Sequence, residues 1–268
     1  MEGFWTRLAL RIWSVLVLLF LFIPIFLILI YAFNSSNIQD WPLPGLTTKW
    51  IAATWNDPDV RTALGLSLQA GLAATAVALI LGSCAAFAIH RMTFFGRDVV
   101  SLMFIIPLAL PGIVTGMALN SFFHFNGINL SIWTVVIGHA TFCIVVVYNN
   151  VLARLRRTQG SLIEAAMDLG ANGFQTFRDV TLPLIATAVV AGAMLAFALS
   201  FDEVIVTTFT AGAQTTLPIW IFGAIRIGQK LPEVNVVVSF VILVTIVPVI
   251  IAARLTGGSG IARTQGAR

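Results

Sequence analysis

Seven stretches of 20 or more residues in this chain carry no Asp, Glu, Lys or Arg. A hydrocarbon layer about 30 Å thick is crossed by roughly 20 apolar residues in a helix. A soluble fold has no use for so many uncharged segments. The 268 residues are 59% apolar and only 10% charged, against about 45–50% and about 25% in a soluble domain. Both values exclude a secreted, cytosolic or disordered protein. The expected fold is therefore an all-α, polytopic membrane protein, embedded in a lipid bilayer.

The uncharged runs lie at 12–33, 62–89, 99–123, 125–153, 180–201, 204–225 and 234–253. The first follows Arg7 and Arg11 but is too long for a cleavable leader and lacks a small-residue cleavage site, so it reads as a permanent span. The run 204–225 differs from the others. Its centre, T-T-F-T-A-G-A-Q-T-T, suits a pore-lining or re-entrant segment, because irregular backbone at membrane depth needs protein or water around it. Six spans are therefore expected. With both termini inside, 11 of the 15 Lys and Arg residues fall on the cytoplasmic side, as the positive-inside rule favours. Seven spans would divide them 10 to 5. The same asymmetry accounts for the sequence pI of about 9.7 without nucleic acid as a partner. Cys84 and Cys143 both lie in apolar runs and read as small hydrophobes. The expected organisation is a first span and outer loop (1–61), a core (62–253) with an inner loop at 154–182, and a cytoplasmic tail (254–268).

The inner loop contains S-L-I-E, Ser161 to Glu164, a capping-box pattern. A helix of about nine residues would follow through Ala165, Ala166, Met167, Asp168 and Leu169, and Gly170 would end it in the left-handed conformation. Helices below about 12–15 residues are marginal alone. This one must pack under its own bundle or dock on a cytoplasmic partner, and the residues by themselves leave both readings open.

The wider pattern resembles a known family. E-A-A-M-D-L-G, nine residues, then V-T-L-P (Glu164–Gly170, Val180–Pro183) is similar to the E-A-A…G…I-x-L-P loop of binding-protein-dependent ABC importer permeases, with Val180 in place of the usual Ile. P-L-A-L-P-G-I-V-T-G (107–116) and F-D-E-V-I-V-T…T-L-P-I…P-E-V-N (201–235) resemble the polyamine branch, nearest to the second permease of spermidine/putrescine-type importers. The resemblance covers about 62–253. It implies the six-helix type I importer permease fold in a bacterial inner membrane. It also implies that Ser161, Glu164, Ala165, Ala166, Asp168, Leu169 and Gly170 form the coupling element to an ATPase. The implied partners are a homologous second permease, two ATPase subunits and a periplasmic solute-binding protein.

The chain has no P-loop: its lysines, Lys49 and Lys230, follow Thr48 and Gln229, so no G-K pair exists. ATP and Mg would be bound by the partner ATPase, with no cofactor in this chain. There is no H-E-x-x-H or G-x-S-x-G motif either, and His90, His124 and His139 are scattered, so catalysis is not expected.

Asp202 and Glu203 interrupt an otherwise uncharged stretch. A carboxylate near membrane depth needs a cavity or a cation. One reading pairs these residues with Arg226 or Lys230 at the outer interface. The other makes them an attractive site for a polyamine ammonium, with Phe201 and Trp220 as cation–π partners. Pro107, Pro111, Gly112 and Gly116 would kink or closely pack the third span. The competing function is a self-sufficient secondary transporter of small cations.

Overall fold

The computed structural model describes residues 3–92 and 95–257. In chain order its helices are α1 (Phe4–Tyr31), α2 (Lys49–Asn56), α3 (Pro58–Arg91), α4 (Arg97–Met103), α5 (Ile106–Ala109), α6 (Gly112–Phe125), α7 (Ile132–Arg157), α8 (Gly160–Asp168), α9 (Gly173–Thr176), α10 (Leu182–Phe201), α11 (Ile205–Thr210), α12 (Leu217–Ile227) and α13 (Leu231–Gly257). A π-helical turn, Phe177–Thr181, joins α9 to α10. The described residues contain no strand beyond one isolated bridge, Asn34 to Leu46.

Four helical stretches are each long and apolar enough to cross a bilayer: Phe4–Tyr31, Pro58–Arg91, Ile132–Arg157 and Gly173–Phe201. A fifth candidate crossing is broken, with Arg97–Ala109 and Gly112–Phe125 bent by 100°. The bend has a local cause. Pro111 disfavours the helical region for the residue before it, and Leu110 sits extended at φ −75°, ψ 140°. α13 is 27 residues long, within which Leu231–Ile246 forms a shorter apolar stretch. The run 204–225 is not one helix: α11 has 6 residues and α12 has 11, so neither spans a bilayer at 1.5 Å per residue.

The chain divides into two compact units, one within Met1–Val60 and Ile221–Arg268, the other Arg61–Trp220. The last helix belongs with the first, because α13 packs on α1 and α2.

In the first unit, Trp55 of α2 meets Phe240 of α13 edge to face at 6.5 Å. Lys230 donates to Asp57 Oδ2. Burial of Asp57 works against its ionisation, but the hydrogen bond and charge of Lys230 and the amides of Asp59 and Val60 outweigh it and hold the carboxyl below its ordinary value.

In the second unit α7 is the central helix. Cys143, Val147, Tyr148, Val151, Leu152 and Leu155 of α7 pack with Ala78, Ala86 and Ile89 of α3 and with Ile185 and Ala196 of α10. In a bilayer, helix association rests on close van der Waals fit and small residues, and two glycines provide that fit here. A Cβ on Gly82 would stand 2.8 Å from the Ile144 carbonyl oxygen, and one on Gly192 would stand 3.4 Å from Val147 Cα. Gly82→Leu is therefore expected to lower both the membrane level of the protein and its melting temperature in detergent. Gly65→Leu on the same helix, where nothing lies within 4 Å of the added Cβ, is expected to leave both near wild type.

Candidate functional site

Two places gather the residues that the sequence singled out, at opposite ends of α10. The first is the inner segment. α8 begins at Gly160 with Gln159 as its extended N-cap and no side-chain cap. The expected Ser161–Glu164 capping box is therefore not formed. The extended residue that must precede a helix falls two positions earlier, which places Ser161 inside the first turn. Both side chains are exposed. The helix ends as expected: Gly170 has φ +90°, its N–H donates to Met167 O at 2.9 Å, and the Ala171 N–H donates to Ala166 O at 3.1 Å. These two bonds make a Schellman motif.

A capping box does exist in this loop, just beyond Gly170, in the pattern N-x-x-Q. Asn172 Oδ1 accepts from the Phe174 and Gln175 amides, and Gln175 Oε1 accepts from the Asn172 amide. It starts α9, which runs through the π-helical turn into α10. The helical path from α9 through the π-helical turn to α10 is continuous, and α8 is joined to it by the turn at residues 169–172. Leu162, Ala165, Asp168 and Leu169 are exposed, Leu169 at 90%, while Ile163 and Ala166 are half-buried. The helix turns one small apolar face inward and leaves another uncovered.

The second place is the break between α10 and α11. α10 runs antiparallel to α7: Cys143 Sγ lies 3.3 Å from Ala196 O, and four residues away on each helix His139 Nδ1 lies 2.7 Å from Ser200 Oγ. The chain then turns at 202–204 and comes back to the same level, where His139 Nε2 lies 2.8 Å from Thr207 Oγ1. His139 is seven residues past the start of α7, about 10 Å along the helix. The Asp202–Glu203 turn follows Ser200 by two to three residues toward the start of α7, which sets it roughly 6–7 Å inside that end of α7. The two carboxylates differ. Glu203 Oε1 accepts from the Val206 amide at 2.9 Å and caps α11, and its carbonyl accepts from Thr207 Oγ1 at 2.6 Å. Asp202 is exposed. Neither forms an ion pair among the described residues; Lys230, one suggested partner, is bound to Asp57. Phe201 packs on Phe197 at 5.7 Å between ring centroids. Trp220 lies half-buried in α12, and among the described residues no ring contact joins it to Phe201.

Close packing holds α11 in place. A Cβ on Gly116 would stand 2.7 Å from the Phe209 ring, one on Gly112 would stand 3.7 Å from Ile205 Cβ, and Asn120 Nδ2 donates to Phe209 O at 2.7 Å. Residues 112, 116 and 120 therefore form one stripe of α6 fitted to α11. The G-x-x-x-G signal pointed to this stripe. His139, Ser200, Thr207 and Asn120 were missed, since an isolated His or hydroxyl in an apolar run carries no sign of its partner. This arrangement can present negative charge to a cation at the Asp202–Glu203 turn.

A family model described as binding-protein-dependent transport system inner membrane component matches residues 78–257. The chain is 35% identical over 247 residues to the spermidine/putrescine transport system permease protein PotC of Shigella flexneri, covering 90% of this chain and 92% of that protein. It is 35% identical over 243 residues to the putrescine transport system permease protein PotI of Escherichia coli K12, covering 86% and 85%. Among solved structures, a bacterial ABC transporter involved in the import of the acidic polysaccharide alginate superposes with a TM-score of 0.67 at 17% identity, over 96% of this chain and 98% of that one. That likeness shows a shared fold.

Proposed function

The chain belongs to the binding-protein-dependent transport system inner membrane component family, and on that premise we propose that it is one of two permeases of an ATP-driven polyamine importer in a bacterial inner membrane. Relatives that carry spermidine and putrescine, matched over most of their length, support the substrate class. The observation that supports the reading is the pair Asp202 and Glu203 at the turn that ends α10, with one carboxylate left unengaged. A polyamine is an alkyl chain with ammonium groups. At about 4 Å and an effective dielectric near 20, one ammonium–carboxylate pair gains about 4 kcal/mol before desolvation is subtracted. That suffices to admit the cation while still letting it leave.

Energy would enter at the other end. The uncovered face of α8, Leu162, Ala165 and Leu169 with Asp168 beside it, fits a groove on an ATPase subunit, and the helical path through α9 would transmit its movement to α10. A second, homologous permease would complete the pathway, two ATPase copies would bind ATP and Mg, and a solute-binding protein would deliver the cargo. The test is reconstitution in proteoliposomes with labelled putrescine and spermidine. Uphill uptake is expected only when the second permease, ATPase and binding protein are present with ATP. Uptake by this chain alone under an ion gradient would instead establish a secondary transporter.

A further inference from the structure

We propose that His139 is a positioning residue for the carboxylate turn, acting through a directed chain of hydrogen bonds that fixes the backbone at Glu203. This inference rests on the reading of Asp202 and Glu203 as the cation-handling groups. His139 is 1% exposed, Ser200 3% and Thr207 0%, so no solvent can replace their partners. Proton accounting gives the chain a direction. The Thr207 hydroxyl has one hydrogen, and the 2.6 Å contact to the Glu203 carbonyl takes it. Thr207 Oγ1 can then only accept from His139, so the imidazole carries its proton on Nε2. Its Nδ1 is left as an acceptor, and the Ser200 hydroxyl donates to it. The path reads Ser200 O–H to His139, His139 N–H to Thr207, Thr207 O–H to Glu203 C=O. It crosses from α10 to α7 to α11 and ends on the residue whose side chain caps α11.

Every donor and acceptor in this path is used once. A buried network is worth most when every member is satisfied, and a broken one leaves polar groups unpaired in a low dielectric. Packing alone does not require this arrangement, since a Leu would fill the space in α7. The imidazole spans the two hydroxyls, one on each side of the break, and so sets the angle at which Asp202 and Glu203 leave α10. Sequence distance hides it: the partners lie 61 and 68 residues from His139.

The test uses the complete importer, with ATP hydrolysis and labelled spermidine uptake measured on the same proteoliposomes and expressed per assembled complex. His139→Leu and Thr207→Val are each expected to lower spermidine imported per ATP hydrolysed by about five-fold or more, with binding-protein-stimulated hydrolysis within about two-fold of wild type. The double variant is expected to be no worse than either single one, because both cut one path. His139→Gln, which keeps a donor and an acceptor, is expected to restore most of the ratio. A purely structural histidine would lower uptake and hydrolysis together. That outcome, an additive double variant, or an unchanged ratio overturns the proposal. Asp202→Asn separates the premise from the inference. If it and Glu203→Gln both import normally, the carboxylate reading falls and the proposal with it. If either loses import while His139→Leu keeps it, the proposal alone falls.

Discussion

An importer carrying Gly170→Val is expected to lose substrate uptake by about ten-fold or more, while the permease stays in the membrane at its wild-type level and the ATPase no longer co-purifies with it. Nothing lies within 4 Å of a Cβ built at Gly170, so the effect does not come from a clash. It comes from φ +90°, a left-handed conformation that costs an L-residue with a branched side chain about 1–2 kcal/mol. About 1.4 kcal/mol is a factor of ten in an equilibrium. α8 has nine residues and no side-chain cap at its start, so the Schellman bonds from Gly170 and Ala171 are a large share of what defines its end. Gly170→Asn separates two explanations, since Asn tolerates the left-handed region. Near-normal uptake with Asn assigns the loss to backbone strain. Equal loss with Asn and Val assigns it to the partner's approach over the glycine. Full uptake with Val removes α8 from the coupling role.

What the sequence made legible follows from how far each signal reaches along the chain. Lipid burial acts on every residue of a span at once, so the uncharged runs marked α1, α3, α7, α10 and α13 directly. Gly170 and Pro111 act through their own backbone angles or their neighbour's, and both left their turn where the sequence put it. The polar centre of 204–225 foretold a segment that is not one helix, and it folds as α11, a turn and α12. The capping box at Ser161 failed because its register depends on a single extended residue, and Gln159 rather than Ser161 took that conformation. The box at Asn172–Gln175 was equally visible as a pattern but lay in what looked like plain loop. Glu203 illustrates the limit. As a charge it was conspicuous, but its bond to the Val206 amide makes it a helix cap as well, and only the fold reveals that second task. The hydroxyl partners of His139 lie beyond any local window.

That double task decides what the carboxylate variants should do. Asp202 makes no side-chain bond among the described residues, so Asp202→Asn removes charge and little else. If the substrate keeps even a third of the roughly 4 kcal/mol Coulomb gain of one pair, the neutral variant should slow uptake of spermidine by about ten-fold, with assembly unchanged. Glu203→Gln retains an oxygen able to accept from the Val206 N–H, so it too should lose uptake without losing the protein. Glu203→Ala removes the charge and the cap together, and loss of a helix cap costs about 1 kcal/mol. It alone of the three should lower the melting temperature and the membrane level along with transport. The order of stabilities, with Asp202→Asn and Glu203→Gln near wild type and Glu203→Ala below them, reports the structural role. The order of uptake rates reports the electrostatic one. If Asp202→Asn and Glu203→Gln both transport at the wild-type rate while Glu203→Ala is destabilised, the pair serves only to shape the turn, and the cation must find its path elsewhere in the assembled importer.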